Sequence, residues 1–251
     1  MPAERPRRRS GGLALVYRGP AATDACAASA AVLVRRVRPD LEVRFTGRGQ
    51  DLPLTARTLA EAHLYVQPGG GTLRRAWRHL RSSADDVRGF VEGGGAYLGI
   101  CLGAYLAGRT PGFGLFDGDT DRYAGSPGAE LRHARDTVLP VSWRGSARHV
   151  FFQDGPRFLL DDPAAPGVQV LARYASGAVA ALVQARGRGR VAVVGPHPEA
   201  TSDWYSHAGL VNPDGVRADL GADLLDALLT AAPGTAVPGA ALPGGGVRNA
   251  G

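Results

Sequence analysis

The apolar run Ala96-Tyr-Leu-Gly-Ile-Cys101 constrains this chain more than any other segment. It carries no charge, spans six residues, and is bracketed by Gly93-Gly-Gly95 before it and Gly103 after it. A short, continuously apolar run reads as a strand buried on both faces, which is the habit of a parallel sheet covered by helices. Comparable strand candidates precede it at 13–18, 41–46 and 63–67. Between the first two lies an Ala-rich helical stretch, Thr23 to Val37, with Thr23 or Asp24 as N-cap. Before Ala96 runs a longer one, Thr72 to Phe90, with a Ser-Ser-Ala-Asp restart near 82–85 and a glycine stop at 93–95. This βαβαβ rhythm predicts an α/β fold: a doubly wound, mainly parallel sheet with helices on both faces.

The second half changes character. Val138 to Trp143, Val168 to Tyr174, Val179 to Gln184 and Arg190 to Val194 read as strands with few helices between them. Ala175-Ser-Gly177 and Arg186-Gly-Arg-Gly189 are turn signals, so antiparallel hairpins are expected to be added to the parallel sheet. A last helix is expected over Arg217 to Leu229. The expected organisation is a basic disordered leader (1–12), one α/β domain (13–231) and a disordered Gly/Pro/Ala tail (232–251).

Composition narrows the function classes. Lys+Arg total 29 against 23 Asp+Glu, for a net charge of +6, and every one of those cations is arginine. The arginine pairs and triplets (Arg7-Arg8-Arg9, Arg35-Arg36, Arg74-Arg75) are scattered and accompany no nucleic-acid motif, so no nucleic-acid partner is expected. No run approaches the roughly 18 apolar residues of a membrane helix, so no membrane partner is expected. Arg-Pro-Arg-Arg-Arg at 5–9 ahead of Leu13-Ala-Leu-Val-Tyr17 imitates an export signal, but about five apolar residues fall short of a signal core. A cytoplasmic protein is expected. Cys26 and Cys101 are too few for a disulfide framework, and His63, His79, His133, His149 and His207 show no zinc spacing, so neither metal nor cofactor is expected.

Chemistry concentrates at three predicted strand ends. Gly99-Ile-Cys101-Leu-Gly103 leaves the buried strand and enters a helix beginning near Ala104. This is the pattern of a nucleophile elbow, in which small neighbours let a sharp strand-to-helix turn close beneath the reactive side chain. The helix N-terminus puts positive potential beside the thiol, and the Leu102 N–H points at a developing oxyanion. Arg190 to Val194 runs into Gly195-Pro-His197-Pro-Glu199. There His197 can act as general base to Cys101, with Glu199 orienting the imidazole. Gln67-Pro-Gly69-Gly-Gly71 ends a third strand and offers bare backbone amides from Gly69 and Gly70 to an oxyanion. Ligands of open α/β sheets bind beyond such strand ends.

Together these residues resemble the class I glutamine amidotransferase-like superfamily, whose pattern is a Pro-Gly-Gly loop, a Gly-x-Cys-x-Gly elbow and a late His-x-Glu. Here they are Pro68-Gly69-Gly70, Gly99 to Gly103 and His197-Pro-Glu199, in the same order. Finer similarity points to the branch found at the N-terminus of biotin–protein ligases and as a free-standing bacterial form. It rests on Ala14-Leu-Val-Tyr-Arg-Gly-Pro20, Tyr97 to Tyr105, Val170-Leu-Ala-Arg-Tyr174 and Gly189 to Glu199. The resemblance implies a flavodoxin-like sheet and a Cys-His-Glu triad. Glutamine-hydrolysing relatives usually carry Gln where this chain has Tyr105, which cannot supply the same carboxamide donor and acceptor, so glutaminase activity is not expected.

Other residues leave alternatives open. Tyr17, Arg18 and Gly19 end the first strand and are candidates to line the cleft; Arg18 reads as a carboxylate binder or as a surface arginine. Trp204-Tyr205 read as pocket wall, core or lid. Cys26 reads as a small buried hydrophobe; a redox partnership with Cys101 would need close approach. Arg186-Gly-Arg-Gly-Arg190 echoes a biotin-ligase stretch but sits as a hairpin turn. The expected function is a cysteine-dependent, amidotransferase-like hydrolase acting on a carboxamide or related acyl group of a small molecule or peptide, any acceptor being a separate protein. The alternative is a catalytically silent binding or regulatory module of the same fold, accessory to protein biotinylation.

Overall fold

A computed structural model describes residues 11–230. Almost all of the expected leader and all of the expected tail lie outside the described residues. The parallel half opens with β1 (Leu13–Tyr17), α1 (Asp24–Val37), β2 (Glu42–Thr46), a single turn α2 (Ala56–Ala60) and β3 (Ala62–Gln67). Helices α3 (Leu73–Leu80) and α4 (Ala84–Glu92) follow, joined by a 3-10 turn at Arg81–Ser83 where the restart is expected. Then come β4 (Ala96–Ile100) and α5 (Leu102–Ala107). Thr23 caps α1, its hydroxyl accepting from the Cys26 N–H at 3.3 Å. Gly94 turns the chain after α4 at φ +118, and the N–H groups of Gly94 and Gly95 close the helix on Val91 and Phe90 carbonyls.

The second half holds β5 (Gly118–Arg122), β6 (Thr137–Trp143), β7 (Ser146–Phe152), β8 (Pro156–Leu160), β9 (Val168–Tyr174), β10 (Val179–Arg186) and β11 (Gly189–Val194), then α6 (Ser202–His207) and α7 (Asp219–Leu229). Hairpin turns join β9 to β10 and β10 to β11 where the glycine signals stand. Strands β5, β7 and β8 are additions to the sequence reading. Strand β5, Gly-Asp-Thr-Asp-Arg, has no apolar alternation and is held by antiparallel pairing to β8. Strand β7 opens with Ser-Ala-Arg-His before its three buried residues.

The strand order is β2-β1-β3-β4-β11-β10-β9-β6-β7, with β5 and β8 off this path. The first five strands run parallel in the 2-1-3-4-5 order of a flavodoxin-like sheet, and β10 begins an antiparallel extension. Both faces are covered. Ala14, Val16, Leu64, Val66 and Leu98 face α1 and α7, while Leu15, Tyr65 and Tyr97 face α3 to α5. Alternate residues of one strand thus enter opposite cores, which is why the parallel strands are apolar throughout. Among the described residues no helix is long and apolar enough to cross a membrane.

Candidate functional site

Three adjacent parallel strands deliver the candidate residues side by side. Gln67 pairs with Gly99 and Ile100 with Val194, so β3, β4 and β11 end level with one another. The chain beyond them carries Gly69, Cys101 and His197 respectively.

The elbow closes because its glycines lack side chains. A Cβ on Gly99 would lie 2.5 Å from the Gly103 carbonyl oxygen, and one on Gly103 would lie 1.8 Å from that of Gln67. No residue but glycine fits either contact. The Tyr97 hydroxyl donates to the Gly103 carbonyl at 2.7 Å and fixes the turn from below. Cys101 itself sits at φ +49, ψ −103, a conformation that L-residues avoid, at the N-cap of α5. Its N–H is held by the Val194 carbonyl at 2.9 Å.

His197 and Glu199 are both buried, 1% and 4% exposed, and His197 Nδ1 lies 2.8 Å from Glu199 Oε1. The His197 N–H donates to the Phe151 carbonyl, and the ring packs against Phe151 and Trp204, so the imidazole is clamped from chain and side. Nε2, the nitrogen opposite Glu199, has no hydrogen-bond partner. Burial alone would depress the imidazole pKa; the charges of Glu199 and Cys101 outweigh it and hold it well above the usual 6.5.

The glycine loop packs against both groups. The place a Gly69 Cβ would occupy is 2.8 Å from His197 Cε1 and 3.4 Å from Cys101 Cβ. The loop is anchored by Gln67, buried, whose amide donates to the Ala21 carbonyl and accepts from the Tyr65 hydroxyl. Gly70 and Gly71 take positive φ, and with Thr72, Leu102 and Tyr105 they line a cleft of about 450 Å³ that reaches Cys101.

The opposite wall of that cleft, Gln153-Asp154, is not apparent from the sequence. Its only sequence signal is the Gln-Asp-Gly-Pro turn at 153–156. The Cys101 thiol donates to the Gln153 carbonyl at 3.4 Å. The Tyr105 hydroxyl donates to the Asp154 carbonyl at 3.1 Å, Arg122 pairs with the Asp154 carboxylate, and Asp154 stands at φ +49. Burial pushes the Tyr105 hydroxyl pKa up, so it stays a donor. Tyr17, Arg18 and Gly19 do not line this cleft. Tyr17 turns into the core beneath α3, Gly19 closes on the Tyr17 hydroxyl, and Arg18 pairs with Asp24 over the Phe45 ring. Trp204 and Tyr205 pack with Phe151 behind the imidazole. Among the described residues no group of three or more His, Cys, Asp or Glu gathers as a metal site would need.

Residues 13–121 match the family model described as biotin-protein ligase, N terminal. The imidazole glycerol phosphate synthase subunit HisH of Gloeobacter violaceus is 30% identical over 181 residues, which cover 64% of this chain and 74% of that protein. The chain belongs to the class I glutamine amidotransferase-like superfamily. Within it, residues 13–121 are similar to the biotin–protein ligase N-terminal branch. The biotin–protein ligase of Schizosaccharomyces pombe is 27% identical over 168 residues, 57% of this chain and 26% of that enzyme. A cobyric acid synthase of Rhizobium etli is 30% identical over 139 residues, 48% of this chain. This amidotransferase-like chain spans about a quarter of the length of that synthase and of that ligase. A solved structure described as a glutamine amidotransferase shares the fold, with TM-score 0.55 and 20% identity over 80% of this chain and all of its own. The elbow, the glycine loop and the His-x-Glu of the amidotransferase-like pattern therefore meet at one end of one sheet.

Proposed function

We propose that the chain is a cysteine-dependent hydrolase or transferase of the amidotransferase type, acting on a carboxamide or related acyl group. One observation carries this reading: a buried imidazole, fixed through Nδ1 by Glu199, keeps Nε2 unpartnered beside a cysteine at a strained elbow. Such a base has no structural task at Nε2 and is oriented as an activated nucleophile requires.

The steps follow from that arrangement. His197 Nε2 takes the Cys101 proton. The thiolate attacks the acyl carbon, and the negative oxygen of the tetrahedral adduct meets the N–H groups of Gly70 and Leu102. Gly69 packs beneath, where any side chain would collide with the imidazole. Collapse breaks the C–N bond, and the leaving amine takes the proton from His197. Water, deprotonated at the same nitrogen, then releases the acid from the thioester, or an amine on a separate acceptor protein takes the acyl group.

Tyr105 shapes the choice of substrate. Its hydroxyl is committed to Asp154, so it offers no carboxamide grip for glutamine. A panel of carboxamides and acyl thioesters, read by amine or thiol release, tests the reading. Cys101→Ala should lower turnover by about 10³-fold or more. Unchanged turnover in that variant contradicts it.

A second reading is favoured by one contact: the thiol donates to the Gln153 carbonyl at 3.4 Å. In that reading the cleft binds without turnover, as a regulatory module. The name of the ligase relative suggests that such a module would serve protein biotinylation. Saturable binding of a panel compound with no product formed would support it.

A further inference from the structure

Cys26, like Cys101, is a free and buried thiol, and this chemistry leaves it unused. It lies in the first turn of α1, 5% exposed, with its N–H on the Thr23 hydroxyl. The Thr23 N–H in turn donates to the Gly69 carbonyl at 3.2 Å, tying the start of α1 to the glycine loop. As a result the two cysteines converge on the same spot. The position a Gly69 Cβ would take lies 3.4 Å from Cys26 Sγ and the same distance from Cys101 Cβ. Those two atoms are therefore no more than twice that distance apart, and the residue between them has no side chain to separate them.

We propose that Cys26 is a resolving thiol for Cys101, and that the pair forms a reversible disulfide when the nucleophile meets a hydroperoxide. Cys101 opens on the 450 Å³ cleft, and Cys26 does not line it. A small peroxide therefore reaches Cys101 first. The Cys101 thiolate attacks the distal peroxide oxygen, the O–O bond breaks, and Cys101 becomes the sulfenic acid as an alcohol or water leaves. The Cys26 sulfur then attacks the sulfenic sulfur; its proton and the sulfenic hydroxyl depart as water, and the S–S bond forms. Overall two thiols are oxidised and one peroxide is reduced. A dithiol reductant reverses the bond by exchange.

The placement of Cys26 suits this order. Burial pushes its thiol pKa up, so it stays protonated and inert until a neighbouring sulfur is oxidised, while the adjacent imidazole favours its ionisation at the moment of attack. A disulfide needs the two Cβ atoms about 3.5–4.5 Å apart, and Gly69 presents no side chain against that approach. This inference needs only that Cys101 reacts with peroxide; it holds whether or not the cleft turns over a carboxamide.

The experiment is mass spectrometry of the whole chain after one equivalent of hydrogen peroxide or cumene hydroperoxide. The expected product has lost two hydrogens, yields a linked peptide joining Cys26 to Cys101, and regains both thiols with dithiothreitol. In Cys26→Ser the same dose should add one oxygen to Cys101 as a sulfenic acid, trapped as its dimedone adduct with no linked peptide, and excess peroxide should carry it on to the sulfinic acid, which dithiothreitol does not recover. Wild-type protein carrying sulfinic Cys101 with Cys26 still free would overturn the proposal. So would a link only between two chains, or no oxidation of Cys101 at all. The wild-type result stands without any variant, and Cys26→Ala repeats the comparison should the serine fold poorly.

Discussion

His197 Nδ1 and Glu199 Oε1 stand 2.8 Å apart with both side chains out of water. Two residues apart on a turn after β11, they share one hydrogen bond whose strength depends on the imidazole being charged. Because the folded imidazole titrates above 6.5, the pair stabilises the fold fully below that pH. The contribution is lost as pH rises through the higher folded value. In Glu199→Gln the raising charge is gone, and burial should carry the imidazole below 6.5. NMR titration of the His197 ring protons reads this directly. A ring pKa unchanged by Glu199→Gln would contradict the pairing.

Two glycines make opposite predictions under the same substitution. Gly103→Ala places a methyl 1.8 Å from the Gln67 carbonyl oxygen and 2.7 Å from its carbon, main-chain atoms that cannot swing aside. Overpacking of this kind costs about 1–3 kcal/mol, or more where backbone must move. Gly89 lies mid-helix in α4 with nothing near its missing Cβ. Gly89→Ala should stabilise by about 0.5–1 kcal/mol through helix propensity. Urea unfolding of the two variants should move the midpoint in opposite directions.

Tyr105→Phe removes only the hydroxyl that holds the Asp154 carbonyl. Asp154 then keeps its positive φ with one tie fewer, and the Gln153 carbonyl loses its fixed place over the thiol. A stability loss of about 1 kcal/mol is expected. Cys101 alkylation should become faster. An unchanged alkylation rate would show that the Gln153 turn does not cover the thiol.

Thr23→Ala deletes the α1 cap, at a cost of about 1 kcal/mol. Because Thr23 also abuts Gly70, the same change should loosen the glycine loop. Faster amide hydrogen exchange at Gly69 to Gly71 checks this.

The parallel half was legible because fully buried strands are apolar runs and their glycine punctuation has steric causes, as Gly99 and Gly103 show. The same steric logic located Cys101, and His197-Pro-Glu199 followed from a strand running into a turn. What escaped was set by distant partners. Gln153 and Asp154 approach Cys101 only because the end of β7 meets the turn that follows β11, as the Phe151–His197 bridge records. No local pattern encodes that pairing. Tyr17, Arg18 and Gly19 sit at the expected strand end, yet Arg18 found a nearer partner in Asp24 and Tyr17 an apolar core. Position along a strand fixes which end a residue reaches, and side-chain competition decides what it faces.

In the proposed function His197 serves Cys101 as its base. The most direct test of that role is the iodoacetamide alkylation rate of Cys101 at neutral pH, mapped by peptide so that Cys26 is counted separately. Wild type should react at least about tenfold faster than His197→Ala, because the imidazole accepts the thiol proton. Equal rates in the two proteins would contradict the account.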